Sequence, residues 1–158
     1  MFIRNFSIAI DDRHALTRLL RIADIAIVIA TGAGAYWVRH GLWTIPEEYI
    51  VAIALGALLT TNYIHAARLY DFSEGQRFAL KIAPLTASWL AVIVTMLLIA
   101  YFGKVTGSYS RVWGATWFVT AYLLLVAARG VFLVMLDKWR RNGDLSYNIV
   151  VVGAGEFG

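Results

Sequence analysis

Residues 84–102 read PLTASWLAVIVTMLLIAYF, nineteen residues without one formal charge. As a helix rising 1.5 Å per residue, that stretch is about 28 Å long. The hydrocarbon core of a bilayer is about 30 Å thick. Three further stretches read the same way on either side of it. Ile22–Val38 lies between Arg21 and Arg39 and holds one charge, Asp24. Tyr49–Ala67 holds none, with His65 near its end, and Val112–Met135 holds one, Arg129. The four together make up half of the 158 residues. Each is apolar all round, whereas the helices of a soluble bundle keep a polar face. The whole chain is 60% hydrophobic and 15% charged, with a mean hydropathy of +0.68. A domain this small has too little interior to hide that much apolar surface from water. The predicted fold is therefore an all-α membrane protein, a four-helix transmembrane bundle with both termini cytoplasmic and a short non-helical tail. Its parts are an interfacial segment (1–21), a four-span domain (22–141; spans 22–38, 49–67, 84–102 and 112–135) and the tail (142–158).

The charges outside the spans set the orientation. Arg4, Arg13, Arg18, Arg21, Arg68, Arg77, Lys81, Lys138, Arg140 and Arg141 fall on the side of the termini, and Arg39, Lys104 and Arg111 on the other. Ten against three places both termini inside, by the positive-inside rule. The predicted location is the bacterial cytoplasmic membrane, and the primary partner is the lipid bilayer. The net charge of +4 is thus a topology signal, and no contiguous basic face points to nucleic acid. Tyr36, Trp37, Trp43, Tyr49, Tyr101, Tyr109, Trp113 and Trp117 fall near the outer span ends, and Tyr63, Tyr70 and Trp139 near the inner ends, and together they read as an interfacial aromatic belt. Residues 11–21 read as a short helix, either lying in the inner headgroup layer or extending the first span. That polar stretch also argues against a cleaved signal peptide.

Few residues inside the spans carry chemistry. Asp24 and Arg129 are predicted at similar depth, which suggests a structural ion pair between the first and fourth helices. Ala26, Ala30 and Gly34, like Ala52 and Gly56, recur at four-residue spacing and read as ridges for close helix packing. Homo-oligomerisation would use the same signal. His14, His40 and His65 do not show a metal-ligand spacing. The absence of cysteine removes disulfides and thiolate chemistry. No catalytic residue and no metal site is predicted.

The composition changes after Arg141. Asn142–Gly143–Asp144 is turn chemistry. Tyr147–Asn148–Ile149–Val150–Val151–Val152 reads as a buried parallel strand. Gly153–Ala154–Gly155–Glu156–Phe157–Gly158 follows directly and matches G-x-G-x-x-G. In a dinucleotide fold, Gly153, Gly155 and Gly158 would give the tight turn, the phosphate approach and the helix packing. The tail is expected to be the interrupted opening of a Rossmann-like domain. Without the following helix and partner strands it is expected to bind no nucleotide, so the chain is assigned no cofactor of its own.

Four spans followed by this strand and loop resemble the N-terminal half of bacterial polyisoprenyl-phosphate hexose-1-phosphate transferases. These are the phosphoglycosyl transferases that initiate exopolysaccharide, capsule or O-antigen synthesis. The resemblance is carried by Arg21–Ile22–Ala23–Asp24, Leu69–Tyr70, Tyr109–Ser110–Arg111 with Trp113 and Trp117, Arg129, and Asn148–Gly155. Arg68 departs from the pattern, which has a glycine before Leu69–Tyr70. The resemblance implies a parent protein that moves a hexose-1-phosphate from a UDP-sugar to undecaprenyl phosphate. It also implies Mg²⁺ and an Asp-Glu pair on a catalytic domain beyond residue 158. Membrane-bound nucleotide-sugar dehydratases or epimerases, and a small stand-alone membrane protein, are the alternative readings. The Tyr109–Ser110–Arg111 element favours the transferase.

Overall fold

The computed structural model describes residues 3–42, 44–69 and 78–141. Among them the chain is all helix and connection, with no strand. Helix α1 spans Ile3–His40, α2 Glu47–Ala66, α3 Phe78–Phe102 and α4 Arg111–Arg141. Each contains a stretch long and apolar enough to cross a membrane: Thr17–His40, Glu47–Ala66, Ile82–Phe102 and Arg111–Phe132. The chain is thus a multi-pass membrane protein. Helix α1 packs on α2, α2 on α3 and α3 on α4, and α4 closes back on α1. The α1–α4 seam is the most extensive and the α3–α4 seam the sparsest. We call the end where α1 begins and α4 finishes the terminal end, and the opposite end the distal end. The predicted strand Tyr147–Val152, the loop glycines Gly153, Gly155 and Gly158, and Trp43 lie outside the described residues.

Two helices differ from their predicted limits. The stretch before Ile22 is not a separate headgroup-layer helix, because α1 runs unbroken from Ile3. Helix α3 begins at Phe78, so Pro84 is inside it and not at its start. Proline has no N–H to give the carbonyl four residues back. One turn on, Ser88 Oγ donates to Pro84 O at 2.8 Å, a bond separate from the one the Leu80 carbonyl forgoes.

The helix ends explain the short connections. Helix α1 stops at Gly41, whose φ is +69° and whose N–H returns to Trp37 O at 2.7 Å. Helix α2 starts after the extended Pro46, with Glu47 and Glu48 in its first turn. Carboxylates there oppose the positive end of the helix dipole. At its other end Arg68 N–H bonds to His65 O at 3.0 Å and Leu69 N–H to Ile64 O at 3.2 Å. Those two bonds define a Schellman motif, and Arg68 occupies its left-handed position with φ +52°. Glycine is the usual residue at such a position. Helix α3 ends the same way, with Lys104 at φ +56° and Val105 N–H on Ala100 O at 3.1 Å.

The core divides in two. The larger cluster holds Val28, Tyr36, Tyr49, Ala52, Ile53, Trp89, Val92, Trp113, Trp117 and Leu125 among others. The smaller, toward the terminal end, holds Leu20, Ile64, Leu69 and Leu85. Large apolar side chains such as Leu58, Leu97, Val119 and Leu123 are exposed on the outside, as a helix bundle in lipid requires.

Candidate functional site

Helices α1 and α4 each carry a buried row at four-residue spacing. On α1 it is Leu20, Asp24, Val28, Gly32 and Tyr36, and on α4 it is Trp113, Trp117, Ala121, Leu125 and Arg129. Residues four apart lie above one another on one helix face. The two rows face each other along an antiparallel seam, and polar contacts hold their register. Trp117 Nε1–H donates to Val28 O at 3.0 Å, and Trp113 Nε1–H donates to Gly32 O at 3.0 Å.

Space for these indoles comes from glycine. A Cβ on Gly56 would stand 2.7 Å from Trp117 Cη2. A Cβ on Gly32 would stand 2.8 Å from Ile53 Cγ1 and 3.1 Å from Trp117 Cε2. Both glycines let α1 and α2 close around a fully buried Trp117. Rings continue the column toward the distal end. Trp113 lies 5.0 Å from Trp117 and 4.7 Å from Tyr49, and Tyr49 lies 4.8 Å from Tyr36. His40 stacks on Tyr36 at 4.5 Å. Aromatic pairs at such separations each contribute about 0.5–1.5 kcal/mol beyond their buried area.

This column corrects the interfacial-belt reading for four of its members. Tyr36, Tyr49, Trp113 and Trp117 are buried in the core, not seated among headgroups, whereas Trp37 and Tyr101 are exposed. The small-residue reading divides similarly. Ala52 and Gly56 are buried between helices, but Ala26, Ala30 and Gly34 all lie on an exposed face, and a Cβ added at Gly34 would meet no other element within 4 Å. The packing glycine of α1 is Gly32, which the four-residue ridge passed over.

Asp24 and Arg129 meet at the other end of the seam. Arg129 Nη2–H donates to Asp24 Oδ2 at 2.7 Å. Asp24 is 1% exposed and Arg129 8%. The Cβ of each residue points toward the start of its own helix. In antiparallel helices that aims Asp24 at the terminal end and Arg129 away from it, so the side chains converge. Arg129 thus reaches into the bundle and does not snorkel to water. The pair stands where the two core clusters join, flanked in sequence by Leu20 and Val28 on α1 and by Leu125 and Val126 on α4. One turn from Asp24, Arg21 Nη2 lies 3.0 Å from His65 Nδ1, joining α1 to α2. As an obligate donor Arg21 gives the proton, so His65 accepts through Nδ1.

Smaller polar bonds tie the remaining seams. Tyr63 Oη and Thr95 Oγ1 lie 2.9 Å apart between α2 and α3. Thr86 Oγ1 and Tyr122 Oη lie 2.7 Å apart between α3 and α4, where Trp89 Nε1–H also donates to Phe118 O at 3.1 Å. At the distal end Tyr109 Oη donates to Glu48 O at 3.2 Å. Burial first, then the charges of Glu48 and Tyr49, hold the Tyr109 phenol above its usual range. These bonds clamp helices together. None of them assembles a nucleophile with a base.

Comparison with known proteins extends this picture. A family model described as a CoA-binding domain matches residues 65–157, which takes in α3, α4 and the stretch up to Phe157. The UDP-glucose:undecaprenyl-phosphate glucose-1-phosphate transferase of Xanthomonas campestris pv. campestris is 30% identical over 135 residues. That alignment covers 85% of this chain and 28% of the transferase, so the chain spans about a quarter of its relative's length. No solved structure matches the chain. With more than half of its residues under that one model, the chain belongs to the CoA-binding domain family, and over most of its length it is a homologue of part of the Xanthomonas transferase.

Proposed function

We propose that this chain is the membrane-anchoring region of a phosphoglycosyl transferase of polysaccharide biosynthesis. The parent reaction moves a hexose-1-phosphate from a UDP-sugar to undecaprenyl phosphate at the inner face of the bacterial cytoplasmic membrane. The observation that carries this reading is the alignment with the Xanthomonas transferase, which runs through four membrane-length helices. The role of residues 1–141 is to fix the protein in the bilayer with both ends on the cytoplasmic side, as the ten-to-three distribution of basic residues favours. Asp24 and Arg129 hold α1 to α4 and take no part in chemistry. Gly153, Gly155 and Gly158 open a Rossmann-like nucleotide-binding unit, a reading supported by the family match that reaches Phe157. Mg²⁺ and the transfer step belong to the catalytic domain of the parent protein.

A chimera tests the anchoring role. Residues 1–158 replace the aligned part of the Xanthomonas transferase, and transfer from UDP-glucose to undecaprenyl phosphate is measured in membranes. Retained transfer is the expected result. A chimera that inserts normally but transfers nothing overturns the reading. For orientation, green fluorescent protein fused after Gly158 should fluoresce and alkaline phosphatase at the same point should be inactive. The reverse pattern places the termini outside.

A further inference from the structure

The sparse α3–α4 seam opens into a groove of about 810 Å³ at the distal end. That volume lies within the range of about 300–1,000 Å³ usual for small-molecule sites. Its walls are apolar, with Ile93 and Met96 from α3 facing Gly114 and Phe118 from α4, and Trp113 and Trp117 behind. Leu97 and Ile99 on its rim are exposed on the outside of the bundle. In a membrane such a groove is filled by hydrocarbon, because no water is present there to occupy it.

One end of the groove is different. Arg111 is the only charged residue among its lining residues, and it is exposed. Arg111 is also the first residue of α4. Ser110 caps that helix by accepting Trp113 N–H on Oγ at 3.4 Å. The N–H groups of Arg111 and Val112 belong to the first turn, which has no intrahelical acceptors for them. An exposed cation and a helix N-terminus thus face the same end of an apolar slot, and both favour an anion. Glu47 and Glu48 do not line it.

We propose that this groove binds one acyl chain of an anionic glycerophospholipid, with the lipid phosphate on Arg111 and the first turn of α4. The occupant is chosen by charge complementarity: Arg111, with Arg39 beside it on Ser110 Oγ at 3.5 Å, suits a phosphate at the head of a hydrocarbon chain. The site extends beyond the anchoring role and does not depend on it.

Tryptophan quenching tests the site once Trp37, Trp43, Trp89 and Trp139 are replaced by phenylalanine, leaving Trp113 and Trp117 on its floor as reporters. The full 158-residue chain is reconstituted in vesicles of phosphatidylcholine containing either phosphatidylglycerol or phosphatidylcholine brominated on the acyl chain. Brominated phosphatidylglycerol should reach half-maximal quenching at about five-fold lower mole fraction, as one favourable contact between a basic residue and an anionic surface is worth about 1 kcal/mol. Arg111→Gln should bring the two lipids to parity while quenching persists. Gly114→Leu fills open space, as nothing lies within 4 Å of a Cβ there, and should weaken quenching by both lipids. Equal quenching in the unmodified protein, or undiminished quenching in Gly114→Leu, overturns the proposal. So does displacement of brominated phosphatidylglycerol by a polyprenyl phosphate but not by unlabelled phosphatidylglycerol, which assigns the groove to an isoprenoid chain instead.

Discussion

Replacing Asp24 and Arg129 by leucine, singly and together, separates the value of the ion pair from the cost of hiding it. In the native bundle Arg129 Nη2 and Asp24 Oδ2 are 2.7 Å apart and both residues are buried. Breaking a buried pair by removing one partner costs about 3–5 kcal/mol. Insertion scales give about 2.5–3.5 kcal/mol for a single charge at the helix centre, which overlaps the lower end of that range. The two single changes should not be equal. Asp24 is short and cannot reach the interface, whereas the Arg129 stem is long enough to swing toward the terminal end. Arg129→Leu should therefore destabilise at least as much as Asp24→Leu. The double variant should recover most of the loss, because a buried pair replaced by apolar side chains is about neutral or up to about 4 kcal/mol more stable. The measurement is reversible unfolding in bicelles, with all four proteins in one double-mutant cycle and a coupling of at least about 2 kcal/mol expected. A coupling below about 0.5 kcal/mol refutes the clamp.

Three other outcomes follow from the same geometry. Arg68→Gly relieves a left-handed backbone at φ +52° and should stabilise the protein by about 1 kcal/mol in the same unfolding assay. Trp117→Ala removes a fully buried ring and its bond to Val28 O, and should cost about 3–5 kcal/mol, whereas Gly34→Ala meets nothing and should stay within about 0.5 kcal/mol. The folded bundle favours the neutral Tyr109 phenol, so stability is fully present below the unfolded value of about 10 and falls as pH rises through the higher folded value. Tyr109→Phe should flatten that alkaline decline in a pH series of thermal unfolding.

The membrane helices were legible because lipid imposes a crude rule, a length of helix without charge, and residues 84–102 satisfy it in isolation. Their limits were less legible. Pro84 looks like a helix start by local preference, yet α3 begins before it, at Phe78. The aromatic residues were misplaced for a related reason. Distance along the chain gives the depth of Tyr49 or Trp113 but not which way it faces, and a ring near a span end suits a headgroup or a core equally well. The missing signal was available in the spacing of Trp113, Trp117, Ala121, Leu125 and Arg129, an unbroken every-fourth row that a lipid-facing belt has no need of. Gly32 was passed over because a ridge of small residues marks close approach only when something large lies opposite. That partner, Trp117, is 85 residues away in the chain. Asp24 and Arg129 could be set at one depth from their distances to the span ends. Their contact also needed α1 beside α4, which is a property of the closed ring of helices.

Helix α2 sets a gauge on the membrane that can hold this protein. Pro46 bounds it at one end and the left-handed turn at Arg68 at the other, so its 20 residues cannot be lengthened by winding further chain into the helix. At 1.5 Å per residue it is about 30 Å long, while α1 and α4, of 38 and 31 residues, run well past any headgroup layer. A bilayer that thickens by several ångströms is absorbed by sliding along the long helices but leaves the ends of the shortest one drawn into hydrocarbon. Hydrophobic mismatch therefore falls on a single element, and membranes with longer acyl chains should loosen this bundle first at Glu47, Glu48 and Arg68.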